Sequence, residues 1–87
     1  MSDPNQVPAP TATAVLDHLV RSIVDDPEAV RVEAVEGRQR LKLEVSVAPG
    51  DLGRVIGRRG RTAQSIRTLT RAAASRDDVD VDVDFVD

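Results

Sequence analysis

Two stretches of apolar–polar alternation, residues 41–47 and 79–85, flank residues 48–78, where the apolar spacing is helical and breaks at Gly57. That arrangement leaves few folds. Leu41, Leu43, Val45 and Val47 alternate with Lys42, Glu44 and Ser46, and Val79, Val81, Val83 and Phe85 alternate with Asp80, Asp82 and Asp84. Each reads as a strand with one buried face and one wet face. Two helices joining two strands make a crossover. Such a crossover most simply makes the strands parallel, with a right-handed connection.

Upstream, Val15, Leu16, Leu19, Val20, Ile23 and Val24 form one helical stripe, predicting a helix from Thr13 to about Asp25 that ends before Pro27. Val30, Val32 and Ala34 then alternate with Arg31 and Glu33. Glu36-Gly37-Arg38 offers a turn in which Gly37 can take positive φ, so a hairpin is expected. Pro49-Gly50-Asp51 opens a short helix with Leu52, Val55 and Ile56 toward the core, and Gly57 stops it. A longer helix from near Gly60 to about Ser75 should bury Ala63, Ile66, Leu69 and Ala73. The order is αββααβ. The expected class is α+β, a three-stranded mixed sheet with helices packed on one face. Residues 1–12 hold three prolines and little to bury, and read as a disordered tail before a folded domain at 13–87.

Composition narrows the function. At 87 residues the chain holds one small domain, which buries only about 60% of the surface its unfolded chain exposes. It has no cysteine, so disulfides and thiolate metal sites are excluded and a cytoplasmic location is expected. No apolar run approaches the roughly 20 residues that span a bilayer. His18 is the single histidine and lies on a polar helix side, and the strand aspartates are two apart, which spreads them rather than wrapping them round an ion. No metal, cofactor, small-molecule substrate or catalytic pair is expected, and so no enzyme. With one phenylalanine and no tyrosine or tryptophan, base stacking on aromatics can contribute almost nothing, which counts against an RRM.

The net charge is −3, yet Arg54, Arg58, Arg59, Arg61, Arg67 and Arg71 fall in a stretch with no acidic residue from Leu52 to Arg76. The last eleven residues carry six aspartates. The chain should therefore present two surfaces of opposite sign. Gly57 and Gly60 let a phosphate approach the backbone, Arg58 and Arg59 add charge between them, and the helix opening at Gly60 offers free N–H groups to an anion. No Gly-Lys-Ser/Thr follows, so this is not a P-loop. A helix-hairpin-helix binder of DNA is an alternative reading of GRRGRTAQSI, although that module's tighter Gly-apolar-Gly turn is missing. A protein-interaction module without nucleic-acid affinity is another.

V-I-G-R-R-G at 55–60, placed between a short helix and a longer one in an αββααβ order, resembles the GxxG signature of a type II KH domain. The run PGDLGRVIGRRGRTAQSIRTL resembles the KhpA family of small bacterial KH-domain proteins. The resemblance covers about residues 13–87. It implies a loop at Gly57, Arg58, Arg59 and Gly60 that clamps about four nucleotides of single-stranded RNA. It also implies a base-binding groove walled by Ile56 and its apolar neighbour Val55. Independently of the resemblance, Arg54, Arg61, Arg67 and Arg71 extend the positive field over neighbouring turns. The resemblance further implies a homodimer or a heterodimer with a KhpB-type protein, and a role as RNA chaperone or post-transcriptional regulator touching cell shape and division.

Overall fold

The computed structural model describes residues 8–86. Helix α1 spans Pro10–Ile23, strands β1 and β2 span Arg31–Glu36 and Leu41–Ser46, helices α2 and α3 span Leu52–Ile56 and Arg61–Ala74, and strand β3 spans Val81–Val86. Single 3₁₀ turns at Pro49–Asp51 and Arg58–Gly60 precede α2 and α3. The sheet order is β1-β2-β3, with β1 and β2 antiparallel and β2 and β3 parallel. This is the αββααβ order and the mixed sheet expected from the sequence.

Register sorts the sheet's two faces. Val32, Val45 and Phe85 form one cross-strand row, and Ala34, Leu43 and Val83 the next. That face packs with Leu16 and Val20 of α1, Val55 of α2 and Ile66 of α3 into a single core, so the helices lie on one side. The outer face carries Arg31, Glu33 and Val35, then Ser46, Glu44 and Lys42, then Val86, Asp84 and Asp82.

Three details differ from expectation. The hairpin forms, but Gly37 is not among the glycines with positive φ. A side chain there is barred by space instead, because a Cβ would lie 2.7 Å from the Arg40 main-chain oxygen. Helix α3 buries Ala63, Ile66, Thr70 and Ala74, leaving Leu69 half exposed. Thr70 is tolerated in the core because its hydroxyl donates to the Ile66 oxygen at 2.7 Å. Finally, Val79 precedes β3 rather than forming part of it, and is exposed.

The expected tail also ends earlier. Residues 10–12 form the first turn of α1, and Ala9 and Ala12 are buried; residues 1–7 lie outside the described residues. The first turn of a helix leaves N–H groups without partners. Here Pro10 has none to satisfy, and Asp77, just past α3, accepts from Thr11 N and Ala12 N at 3.0 and 2.9 Å. The cap is supplied from 65 residues away in sequence, which local reading of α1 does not reveal. A second carboxylate works the same way. Asp51 is 3% exposed and accepts from Asp25 N and Asp26 N, both at 3.1 Å, tying the end of α1 to the start of α2.

Removing residues 1–12 is expected to lower the melting temperature. Two buried methyl groups at about 0.8 kcal/mol each correspond to roughly 10 °C in a domain of this size, before the lost cap is counted. Thermal melting of the truncated and full chains checks this. The Asp77 carboxyl is pulled two ways. Partial removal from water raises its pKa, the N–H groups of Ala12 and Thr11 and the Thr11 hydroxyl lower it, and the net value is below the ordinary one. A depressed pKa stabilises the fold above the unfolded value, and that contribution is lost as pH falls through the folded value. Asp77→Asn is therefore expected to be less stable at neutral pH, and to lose less stability than the parent on acidification below about pH 4. Urea unfolding at several pH values checks it.

Candidate nucleic-acid interface

The loop between α2 and α3 is built by a close backbone approach. Helix α2 ends at Ile56, with the Gly57 N–H donating to the Gly53 oxygen at 2.9 Å. Gly57 then takes φ 75°, and the chain makes one 3₁₀ turn closed by the Gly60 N–H on the Gly57 oxygen at 3.2 Å. A Cβ on Gly57 would lie 2.6 Å from Thr62 Cβ and 3.0 Å from Thr62 N, with Thr62 Oγ1 closer still. Gly60 is required for a different reason. A Cβ there would meet nothing within 4 Å, but its φ is 71°. Arg59, between them, is also left-handed at φ 58° and ψ 25°, a conformation that costs a non-glycine residue about 1–2 kcal/mol. Gly53 has neither constraint: its φ is ordinary and a Cβ would meet nothing within 4 Å.

The arginines divide into two groups. Arg58, Arg59 and Arg61 are exposed and, among the described residues, no acidic side chain pairs with them. They stand at the N-terminal end of α3, where the helix dipole adds to their positive field. The others have partners brought by the fold rather than by local sequence. Arg54 lies between Asp25 at 3.0 Å and Asp51 at 3.4 Å. Arg71 reaches Asp82 of β3 at 3.0 Å, and this ion pair holds the Asp82 carboxyl below its ordinary pKa against the opposing effect of desolvation. Arg67 donates through Nε to the Val83 oxygen at 3.2 Å, with its guanidinium carbon 5.3 Å from the Phe85 ring centroid. The acid-free stretch thus reads correctly for Arg58, Arg59, Arg61 and Arg67, none of which has an acidic partner among the described residues, and misleads for Arg54 and Arg71.

Of the apolar residues expected beside the loop, Ile56 is half-buried, but Val55 is fully buried. Val55 cannot wall a groove; it fastens α2 to the core beneath the loop. Sequence reasoning did not place Leu52, Val86 or Phe85 at the site. Leu52 and Val86, with Val47, Ala48 and Pro49, line a small hollow of about 150 Å³ where β2, β3 and the start of α2 meet. Phe85, under Arg67, is half-buried on the edge strand. The only sequence signal for Phe85 was the apolar phase of the final strand.

The family model described as the KhpA/KhpB KH domain matches residues 13–85. The chain belongs to the KhpA/KhpB KH-domain family. It is 49% identical over 72 residues to the RNA-binding protein KhpA of Mycobacterium tuberculosis, covering 83% of this chain and 86% of that protein. The KhpA of Chlamydia trachomatis is 42% identical over 72 residues, covering 83% of this chain and 92% of that protein. The fold is also similar to 32% of a chain in a crystal structure of an Aquifex aeolicus Era variant bound to GDP·AlF4−, with a TM-score of 0.71, 14% identity and 98% of this chain covered. The family is a non-enzymatic one, and the chain is not an enzyme. Among the described residues, no helix is long and apolar enough to cross a membrane.

The two loop glycines are expected to differ in cost. Gly60→Ala meets only the left-handed backbone penalty and should lose about 1–2 kcal/mol. Gly57→Ala meets that penalty and a clash with Thr62, and should lose more. Urea unfolding of both variants checks the ranking, and equal losses would show that the Thr62 contact relaxes freely.

Proposed function

We propose that this protein binds single-stranded RNA without catalysis, gripping about four nucleotides at the Gly57–Gly60 loop. The observation that carries the reading is the exposed trio Arg58, Arg59 and Arg61 at the opening of α3, without acidic partners among the described residues, beside two glycines that leave the backbone accessible. A phosphate there meets guanidinium groups and the positive end of a helix together. Ile56 borders the site, and Arg67 with Phe85 continues it along the β3 edge. Arg54 contributes indirectly, by fixing the start of α2 through Asp25 and Asp51. The names of the relatives support RNA as the ligand.

A grip on so few nucleotides is weak, and two linked sites on one RNA raise affinity without new contacts. A homodimer, or a heterodimer with a KhpB-type protein, meets that need, and the family's double name fits the second form. Action as an RNA chaperone or post-transcriptional regulator in the cytoplasm, with effects on cell shape and division, belongs to the same reading.

The test reverses the loop's charge and leaves its turn intact. Arg58→Asp with Arg59→Asp keeps Gly57 and Gly60, and both side chains are exposed, so the melting temperature should shift little. Affinity for a short single-stranded RNA should fall at least tenfold. In the parent, log K should fall against log salt with a slope of roughly −2 to −3, as for three or four phosphates on a single strand. A folded double variant that binds as well as the parent removes the loop from the site. Tighter binding of duplex DNA than of single-stranded RNA overturns the choice of ligand.

A further inference from the structure

The sheet has two edges, β1 and β3, and the fold treats them differently. On β3, the Val83 oxygen accepts from Arg67 Nε at 3.2 Å. On β1, the ladder to β2 decides which backbone groups face out. The Gly37 N–H donates to the Arg40 oxygen at 3.0 Å, and successive residues of a strand aim these groups at opposite edges. Arg31, Glu33 and Val35 therefore bond toward β2, while Val32, Ala34 and Glu36 turn theirs outward, where no described strand pairs with them. Just before the strand, Arg21 and Arg31 donate to the oxygens of Pro27, Glu28 and Val30. That cover stops short of Val32. An edge left open in this way is a template for another strand. Because the β3 edge is covered, a second copy of the chain has its own β1 to offer. Pairing of β1 with β1 about a two-fold axis closes at two copies and does not propagate.

Charge selects the register of that pairing. Arg31 and Glu33 are exposed on the outer face of β1, and among the described residues neither has an ion-pair partner. Outward backbone groups must meet outward groups, so antiparallel alignments differ by steps. With Val32 opposite the partner's Val32, Arg31 stands opposite the partner's Glu33, and the symmetry makes this pair twice. The alignment on one side of it sets Glu33 against the partner's Glu33, and the one on the other side sets Arg31 against the partner's Arg31. Like charges directly opposite are destabilising. In the favoured register, the partner's Arg31 also extends the row of Glu33, Glu44 and Asp84 with a cation. On the core side, Pro10, Thr13 and Ala14 of α1 with Val30 and Val32 line a hollow of about 420 Å³ along the same edge, which leaves room for the partner's apolar side chains. We propose that the β1 edge is a homodimer interface, centred on Val32 and fixed in register by two Arg31–Glu33 ion pairs. This rests on the homodimer form of the reading above and gives it a surface. β1 stands about 10 Å from β3, two strand spacings away, so the pairing leaves the β3 edge and the arginines beside it uncovered in both copies.

Sedimentation equilibrium of the full chain without RNA, from micromolar to millimolar concentration, tests the inference. The parent should pass from monomer to dimer and go no further. Arg31→Glu and Glu33→Arg, made singly, each set like charges opposite twice, and each should raise the dissociation constant at least tenfold. Both side chains are exposed, so the fold should persist, which circular dichroism checks. Arg31→Glu combined with Glu33→Arg in one chain exchanges the charges and should restore the dimer, as should an equimolar mixture of the two single variants. In the unaltered protein, exchange of the Val32 and Ala34 amides should slow as the dimer forms. A parent that stays monomeric to millimolar concentration overturns the homodimer reading and this inference with it. A dimer that survives both single variants, or that the exchanged charges do not restore, overturns the β1 edge alone.

Discussion

The approach of Gly57 to Thr62 sets the geometry of the helical layer. Two helices meet there within four residues, and a side chain at position 57 would collide with Thr62. Because the helices are fastened on either side by Val55 and Ile66, both buried, the turn cannot relax by moving either one away. The remaining freedom is taken up between the glycines, where Arg59 adopts a left-handed conformation. Strain of that kind persists only where the surroundings over-determine it, and it gathers at working sites. The result is a short loop with its arginines turned outward and its backbone open.

Charge in this small protein does two jobs in separate places. Asp51 and Asp77 each hold a pair of main-chain N–H groups from a distant segment. Arg54 and Arg71 pair with acids across element boundaries, and Arg67 covers the Val83 oxygen on the open edge of β3, an edge that would otherwise invite pairing with another strand. Among the described residues, Arg58, Arg59 and Arg61 are left as unpaired positive charge. On the outer face of the sheet, Glu33, Glu44 and Asp84 stand in one cross-strand row. A negative net charge is thus compatible with a positive site, because charges beyond about a Debye length are largely screened.

Periodicity carried most of the fold. Alternation at 41–47 and 79–85, with two helical segments between them, was enough for the parallel pairing, and Gly57 for the break. What stayed hidden depended on contacts between distant segments. The start of α1 at Pro10 rests on a cap from Asp77. The choice of Thr70 over Leu69 for the core turns on a hydroxyl that bonds its own helix, which residue type alone does not announce. At the site, glycine spacing located the loop, since positive φ and close approach both select that residue. The partners of Arg54 and Arg71 were illegible, because a stretch without local acids says nothing about acids that folding brings from elsewhere. Val55 was rightly expected toward the core but cannot also wall the groove: two adjacent apolar residues look alike in sequence, and only packing decides which one is fully enclosed.

The central claim is that the Gly57–Gly60 loop and the opening of α3 form the RNA contact surface, while the acidic outer face of the sheet does not. Titration of ¹⁵N-labelled protein with a short single-stranded RNA, followed by amide chemical shifts, tests it directly. The account predicts that the largest shifts fall at residues 57–61, with further changes near Arg67 and Phe85, and that Glu33, Glu44 and Asp84 barely move. Shifts centred on the outer face of the sheet, with residues 57–61 unmoved, would contradict it.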